Sequence, residues 1–361
     1  MYTELETRVL DIRFEDEEIQ HLTTDKGAGR ALLYKRMTQA VKVGDRIVVN
    51  TTATELRLGT GGWDIVRQVL SRKEEQWSTS DPQGHIMKAR YTPVQHSVLT
   101  VESQESEFHG VFTKPFSLAG SPVWLAELHS MVPLLYYLTQ QLNKEYRCCV
   151  IFDDQAALPL MLSEQLRVLH QERDFTSITV GQAFGGDYEA ITIASALQCA
   201  KMIVKADVII ISVGPGVVGT GTSYGFSGMI LSHWSHSVSA LDGVPIWIPR
   251  MSFADKRKRH YGISHHTVTP LSQFTFEKAV LPLPYMAKSQ RETVLSQLNK
   301  ASYRVQHDIR FAKQDDVSHH LKNALKQATM SIQTMGRKYE DDPIFFLAVA
   351  EALRVGLELA E

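Results

Sequence analysis

Residues 206–228, ADVIIISVGPGVVGTGTSYGFSG, restrict the possible folds of this chain more than any other stretch. Val208, Ile209, Ile210 and Ile211 form a continuous run of β-branched apolar residues. With no polar alternation, such a run predicts a strand buried on both faces, as in a parallel sheet. Six glycines follow within fifteen residues: Gly214, Gly216, Gly219, Gly221, Gly225 and Gly228. Met229 to Leu241 then returns to helical spacing, with Ile230, Trp234, Val238 and Leu241 on one stripe. A buried strand, a glycine-rich turn and a helix in that order can present bare backbone N–H groups to an anion.

The neighbouring chain has the same grammar. A helix is expected over Val132–Asn143, with Pro133 tolerated in its first turn. Strand Arg147–Phe152, a helix from about Ala157 to Gln171, strand Ser177–Val180 and a helix over Tyr188–Val204 follow. That last helix would carry Ile191, Ala194, Leu197 and Met202 on its buried stripe. Beyond the glycine loop come strand Val244–Pro249, strand Val280–Leu283, helix Ser289–Lys300 and strand Arg304–Phe311. Pro343–Ala360 is a helix, with Asp342 as N-cap. Alternation of this kind predicts an α/β domain, Rossmann-like, with a parallel sheet and helices on both faces. Before it, Thr7–Phe14, Glu18–Thr23, Ala31–Tyr34 and Asp45–Thr51 read as short, closely spaced strands of a small β-barrel or sandwich. The segment LGTGGWDI (58–65) breaks that pattern, and 71–83 reads as a linker or flexible loop. A strand at Ser97–Glu102 precedes a loop to about residue 128. The expected division is a β-rich N-terminal domain at 1–115 and an α/β ligand-binding domain at 116–361.

Composition narrows the function classes. With 38 basic and 40 acidic residues among 361, the chain lacks the positive excess of a nucleic-acid or anionic-membrane binder. No apolar run reaches the length of a membrane span, and the first residues lack the pattern of a signal peptide. Cys148, Cys149 and Cys199 have no metal or redox spacing and read as small buried apolar residues. The expectation is a cytoplasmic protein that meets a small ligand, without nucleic acid or membrane as partner. A homo-oligomer is compatible with it.

In a parallel sheet, ligands bind beyond the carboxyl ends of the strands. Asp153 and Asp154 follow the first expected strand, GQAFGGDYEA (181–190) the second, the glycine loop the third, and RMSFADKRKRHYGISHHT (250–267) the fourth. The candidate ligand-binding residues are therefore Gly185, Gly186, Gly214, Gly216, Gly219, Thr220, Thr222, Arg250, Ser252 and Arg257. Asp187, His260 and His265 are the candidates for proton transfer. Each carries a plainer alternative. Asp187 and Glu189 can cap a helix, and the glycines can serve packing alone.

Gly214 to Gly219 also matches G-x-G-x-x-G, and Arg250 at the end of the next strand would suit the 2′-phosphate of NADP. Against this, the loop runs on through Gly225 before its helix. Gly221 to Gly225 matches G-x-S-x-G around Ser223, with Asp255 and His265 in hydrolase order, yet Ser223 lies well past the strand. His233 and His236 are spaced to share a metal, but no carboxylate accompanies them. Adjacent His265 and His266 would diverge if extended. Fourteen histidines leave a metal open as a cofactor alongside NADP, although no ligand-spaced signature marks its site.

Long runs of this chain, among them NTTATELRLGTGGW (50–63), GHIMKARYTP (84–93), GQAFGGDYEA, VGPGVVGTGTSYGFSG (213–228) and RMSFADKRKRHYGISHHT, resemble a bacterial protein family defined as a conserved domain of unknown function. The resemblance implies a bacterial, cytoplasmic protein and brings no reaction, cofactor or catalytic residue with it. The residues themselves point to a small anionic ligand, phosphorylated or nucleotide-like, bound at the carboxyl ends of the sheet, with acid/base catalysis as a hydrolase or transferase. The competing reading is a regulatory or sensory module that binds without turnover.

Overall fold

The computed structural model describes residues 1–58, 61–71, 84–156 and 158–360. Two compact units divide it: residues 1–83 with 90–96, and 84–89 with 97–361. The expected linker at 71–83 lies outside the described residues except for Ser71.

The first unit is a closed five-stranded barrel. Its strands are β1 (Glu4–Glu15), β2 (Ile19–Thr24), β3 (Arg30–Tyr34), β4 (Arg46–Asn50) and β5 (Asp64–Val69), in the order β1-β2-β3-β5-β4. All pairs are antiparallel except β3 with β5. Alternating residues, among them Val9, Leu22, Leu33, Ile47 and Val49, point inward and form one small core. The glycine segment at 58–65 thus leads into a strand that closes the barrel. Asp64, fully buried, accepts a hydrogen bond from Ala28 N–H at 2.8 Å.

The second unit is an eight-stranded parallel sheet. Its strands are β6 (Pro122–Ala126), β7 (Cys148–Asp154), β8 (Phe175–Gly181), β9 (Tyr188–Ala190), β10 (Val208–Ser212), β11 (Val244–Trp247), β12 (Val280–Leu283) and β13 (Asp308–Phe311). Their order is β9-β8-β7-β10-β6-β11-β12-β13, and every pair is parallel. Because the strands are parallel, the carboxyl ends of β7, β10, β6 and β11 share one edge.

Helices α1 (Met131–Leu142), α2 (Glu164–Leu169), α7 (Ser318–Gln327) and most of α8 (Pro343–Ala360) cover one face. Helices α3 (Ile193–Cys199), α4 (Leu231–Ala240) and α6 (Lys288–Asn299) cover the other. The apolar run of β10 has the expected two-sided burial: Val208 and Ile210 face the first core, Ile209 and Ile211 the second. The three cysteines are buried and free, and burial pushes their thiols up, those of Cys148 and Cys199 to about 12. No helix among the described residues is long and apolar enough to cross a membrane.

Several expected elements need correction. Residues 122–126, expected in a loop, form β6 near the middle of the sheet. Pro122 at its first position needs no ladder N–H there, so a proline that reads as a breaker is tolerated. Tyr188–Ala190 is the short edge strand β9, and the helix starts only at Ile193, capped by Thr192 and Ser195. That moves the buried stripe to Ala196, Leu197, Cys199 and Ala200, with Ile191 and Met202 exposed. The helix expected from about Ala157 begins at Glu164, and Ala157 itself lies outside the described residues. The strand at Ser97–Glu102 is reduced to His96–Val98, and Arg304–Phe311 to Asp308–Phe311.

Candidate functional site

At the shared carboxyl edge lies a cavity of about 550 Å³. Its lining includes Asp153 and Asp154 from the end of β7, residues 213–218 of the glycine loop, and Thr220, Tyr224 and Phe226. Asp153 accepts a hydrogen bond from Trp234 Nε1 at 2.7 Å, and burial pushes its carboxyl up. Asp154 accepts from the backbone of Gly214 at 3.1 Å and of Ala156 at 2.9 Å. A Cβ on Gly214 would stand 1.9 Å from Leu158 Cδ2 and 3.2 Å from Asp154 Oδ2, so a larger residue there would have to displace the Leu158 side chain. Gly216 differs: its φ is +103°, and nothing lies within 4 Å of where a Cβ would be. The amides of Gly216 and Val217 have no hydrogen-bond partner among the described residues.

The rest of the loop closes on itself. Gly219 and Phe226 form a bridge, Thr220 N–H donates to Gly225 O at 2.8 Å, and Ser227 N–H donates to Val218 O at 2.9 Å. The Thr220 hydroxyl bonds Thr222 Oγ1 and Gly225 O. Gly214, Gly216 and Thr220 therefore line the cavity, while Thr222 braces the hairpin.

The other wall of Phe226 meets a second group of residues. Its ring stacks on His266, centroids 3.9 Å apart and planes within 3°, and lies edge-on to His265. His266 Nδ1 is 2.7 Å from Glu127 Oε1, and Arg250 Nη1 donates to the same oxygen at 2.9 Å. Glu127, directly after β6, is fully buried. Burial alone would raise its carboxyl, but Arg250 and His266 outweigh it and hold the group below its ordinary value. Its other oxygen, Oε2, has no partner.

His265 and His266 open the short helix α5 (His265–Thr269), capped by Ser264. In a helix, adjacent side chains are not opposed as they are in a strand, so their rings lie 4.4 Å apart. Ser264 Oγ also bonds His260 Nδ1 at 2.7 Å. Burial, then Arg250 and the neighbouring rings, lower His260 to about 3, and burial with His266 lowers His265. Both are neutral at pH 7. One ring nitrogen from each of His260, His265 and His266 lies within 4.8 Å of the others.

The remaining candidates are engaged elsewhere. Asp187 is no helix cap. It receives the Ser177 N–H and hydroxyl, both at 2.8 Å, and faces His170 at 3.3 Å. It stands beside the sheet's edge strand, four strand positions from β6, or roughly 19 Å at the usual spacing. That separates it from His260 and His265. Gly185 and Gly186 fold around Glu189, whose carboxylate takes the Gly185 N–H at 2.7 Å and pairs with the buried Lys88 at 3.1 Å. Lys88 also donates to Gly181 O and Ala183 O, so its three protons have three acceptors.

Arg257 is paired bidentately with Asp255, and Ser252 donates to Asp342. Arg250, the residue suited to a 2′-phosphate, instead has its charge balanced by Glu127. No hydrogen bond among the described residues links Ser223 to His265 or Asp255, which leaves the hydrolase triad unassembled. His236 accepts from Phe276 N–H at 3.0 Å while His233 is exposed.

Glu127 and His266 were not among the sequence candidates. Glu127 stood in an expected loop. A strand reading of Pro122–Ala126 would have put it at the carboxyl edge.

A family model described as "Protein of unknown function (DUF3866)" matches residues 30–353. No curated protein and no solved structure matches the chain.

Proposed function

The chain belongs to this family of unknown function, and from its own residues we propose that it binds a small hydroxylated, anionic molecule in the cavity at the carboxyl edge. A sugar phosphate or nucleoside phosphate has the required chemistry. The observation that carries this reading is the opposition of two carboxylates, Asp153 and Asp154, to a glycine loop with two unpaired amides. Carboxylates accept hydrogen bonds from sugar hydroxyls, as an acidic residue does for a ribose. Adjacent backbone N–H groups cradle a phosphate without a cationic side chain. Arg250 and Arg257 are not needed as anion receptors, since both already have carboxylate partners. A volume of about 550 Å³ suits a ligand of that size. Asp153, its carboxyl raised by burial, is the group placed to move a proton, which favours an enzyme over a sensor.

The test is a thermal-shift screen against sugar phosphates and nucleoside phosphates, followed by calorimetry on the best. A ligand at a hundredfold its Kd adds about 2.7 kcal/mol of stability. Gly216→Val adds backbone strain at this positive φ but meets no protein atom, so it should stay folded and lose binding as the new side chain meets the ligand. Asp154→Asn should weaken binding about tenfold or more, losing a charge-assisted hydrogen bond. Unchanged affinity in both variants would remove the ligand from this cavity. Recovery of the ligand intact after long incubation would favour the sensory reading.

A further inference from the structure

We propose that His260, His265 and His266 form a binding site for one divalent transition-metal ion of the zinc class, through their Nε2 atoms. The argument rests on what each ring's other nitrogen does. His265 Nδ1 lies 3.2 Å from Arg259 O, and His266 Nδ1 lies 2.7 Å from Glu127 Oε1. A carbonyl and a carboxylate only accept, so both rings carry a proton on Nδ1. At His266 the 2.7 Å carboxylate contact outweighs Arg250 Nη1, which lies 3.2 Å from the same nitrogen, and each neutral ring then has its lone pair on Nε2. His260 Nδ1 faces Ser264 Oγ, while its Nε2 lies 3.3 Å from the guanidinium Nε of Arg259. A guanidinium only donates, which makes His260 Nε2 an acceptor as well. All three Nε2 atoms are therefore acceptors, in a cluster where one nitrogen from each ring lies within 4.8 Å of the others. Each is fixed through Nδ1 by the kinds of partner that orient metal-binding histidines: a carboxylate, a backbone carbonyl and a hydroxyl.

The surroundings suit an ion of this class. Phe226 stacks on His266 and abuts His265, which restrains both rings. Of the three arginines nearby, Arg250 and Arg257 are balanced by Glu127 and Asp255, and Arg259, with no carboxylate partner among the described residues, is the one that contacts a ligand nitrogen. Glu127 Oε2 is buried without a partner, a second sign that this neighbourhood accommodates more positive charge. Three imidazole ligands with no oxygen among them favour zinc, cobalt, nickel or copper over magnesium or calcium. Three protein ligands also leave a fourth position open, the arrangement in which bound water ionises near neutral pH. Metal–nitrogen bonds of about 2.0–2.1 Å require the rings to draw together from their present separation of up to 4.8 Å. Arg259, whose side chain is exposed, has to leave His260 Nε2 as they do. This site does not depend on the cavity reading above.

The test uses the full chain, stripped with a chelator and titrated with Co²⁺ alone, with no phosphate compound present. One equivalent is expected to bind, with the intense visible absorption of a four-coordinate cobalt site. His260→Ala and His265→Ala should each lower the affinity by at least roughly 100-fold, with circular dichroism confirming that they fold. His265 is half-buried, so its variant is the safer of the two. Arg259→Ala should bind Co²⁺ more tightly, because the competing guanidinium is gone. A wild-type Kd no tighter than millimolar would overturn the proposal and leave a histidine cluster beside Phe226. So would Co²⁺ binding unaffected by both histidine variants, which would place the ion elsewhere, for example at His233. Failure here leaves the phosphate-ligand screen untouched, because the two titrations share no reagent.

Discussion

At the scale of single residues, the decisive group is Glu127. A fully buried carboxylate is tolerable only while paired, and both its partners come from distant sequence. Arg250→Met should therefore cost about 3–5 kcal/mol, since it leaves that charge in the interior with one histidine. Adding Glu127→Gln to Arg250→Met should recover much of the loss. A double-mutant cycle in urea reads the coupling, and a cost under about 1 kcal/mol for Arg250→Met would show that the pair is not buried as described.

His129, two residues on, supplies a pH prediction. It donates or accepts at Ser163 Oγ across 2.7 Å, and burial lowers it from 6.5 to about 4. Between those two values the unfolded chain holds a proton that the folded chain does not, so unfolding free energy rises with pH there. The stability it contributes is complete above about pH 6.5 and is lost as the pH falls towards 4. Its share of the slope is at most about 1.4 kcal/mol per pH unit. His129→Gln should remove that share while His260, lowered for similar reasons, keeps its own. Denaturant melts at pH 5, 6 and 7 measure the difference, and parallel slopes in the two proteins would refute it.

At the scale of elements, the packing of α8 on β6 rests on one glycine. A Cβ on Gly356 would stand 2.3 Å from Trp124 Cζ2, and Trp124 Nε1 donates to Ala352 O at 2.8 Å. Gly356→Ala should raise the helix propensity of α8 by up to about 1 kcal/mol yet destabilise the protein by about 1–3 kcal/mol net. A thermal melt showing stabilisation would mean that the helix can shift without loss. The same elements show how far local pattern reaches. Val280–Leu283 and Pro343–Ala360 lie where the sequence puts them, because a buried apolar run and a long apolar helix opened by a proline are local signals, while the Asp342 side chain accepts from Ser252 and Arg337. Pro122–Ala126 escapes notice because it opens on a proline, which reads locally as a breaker, and Tyr188–Ala190 because three residues are too few to show a period. Such strands are held by neighbours rather than by their own periodicity. Misreading the second shifted the helix stripe that follows and turned Asp187 into a helix cap.

For the whole molecule, the chain passes between its units more than once. Residues 84–89 belong with the α/β unit although 90–96 belong with the barrel. Lys88 lies in that short return and neutralises Glu189 inside the α/β unit. A fragment of 84–361 should therefore unfold cooperatively. One of 97–361, which leaves Glu189 buried without its lysine, should be less stable by about 3–5 kcal/mol. Equal denaturation midpoints would show that Lys88 is dispensable. What the sequence determined by itself is the fold class and the edge of the sheet that matters, because two-sided burial of Val208–Ile211 and the strand–helix alternation are written in consecutive residues. It also marked Asp153, Asp154 and the glycine loop, which lie together along that edge. Only the tertiary structure decided which charges are free. Arg250, Asp187 and Glu189 look alike as polar residues after strands, but each meets a partner that chain proximity does not reveal, whereas Arg257 pairs with Asp255 only two residues away. The joining of His260, His265 and His266, the last two against Phe226, likewise depends on a helix start and a hairpin brought together by packing, and a linear pattern does not encode that meeting.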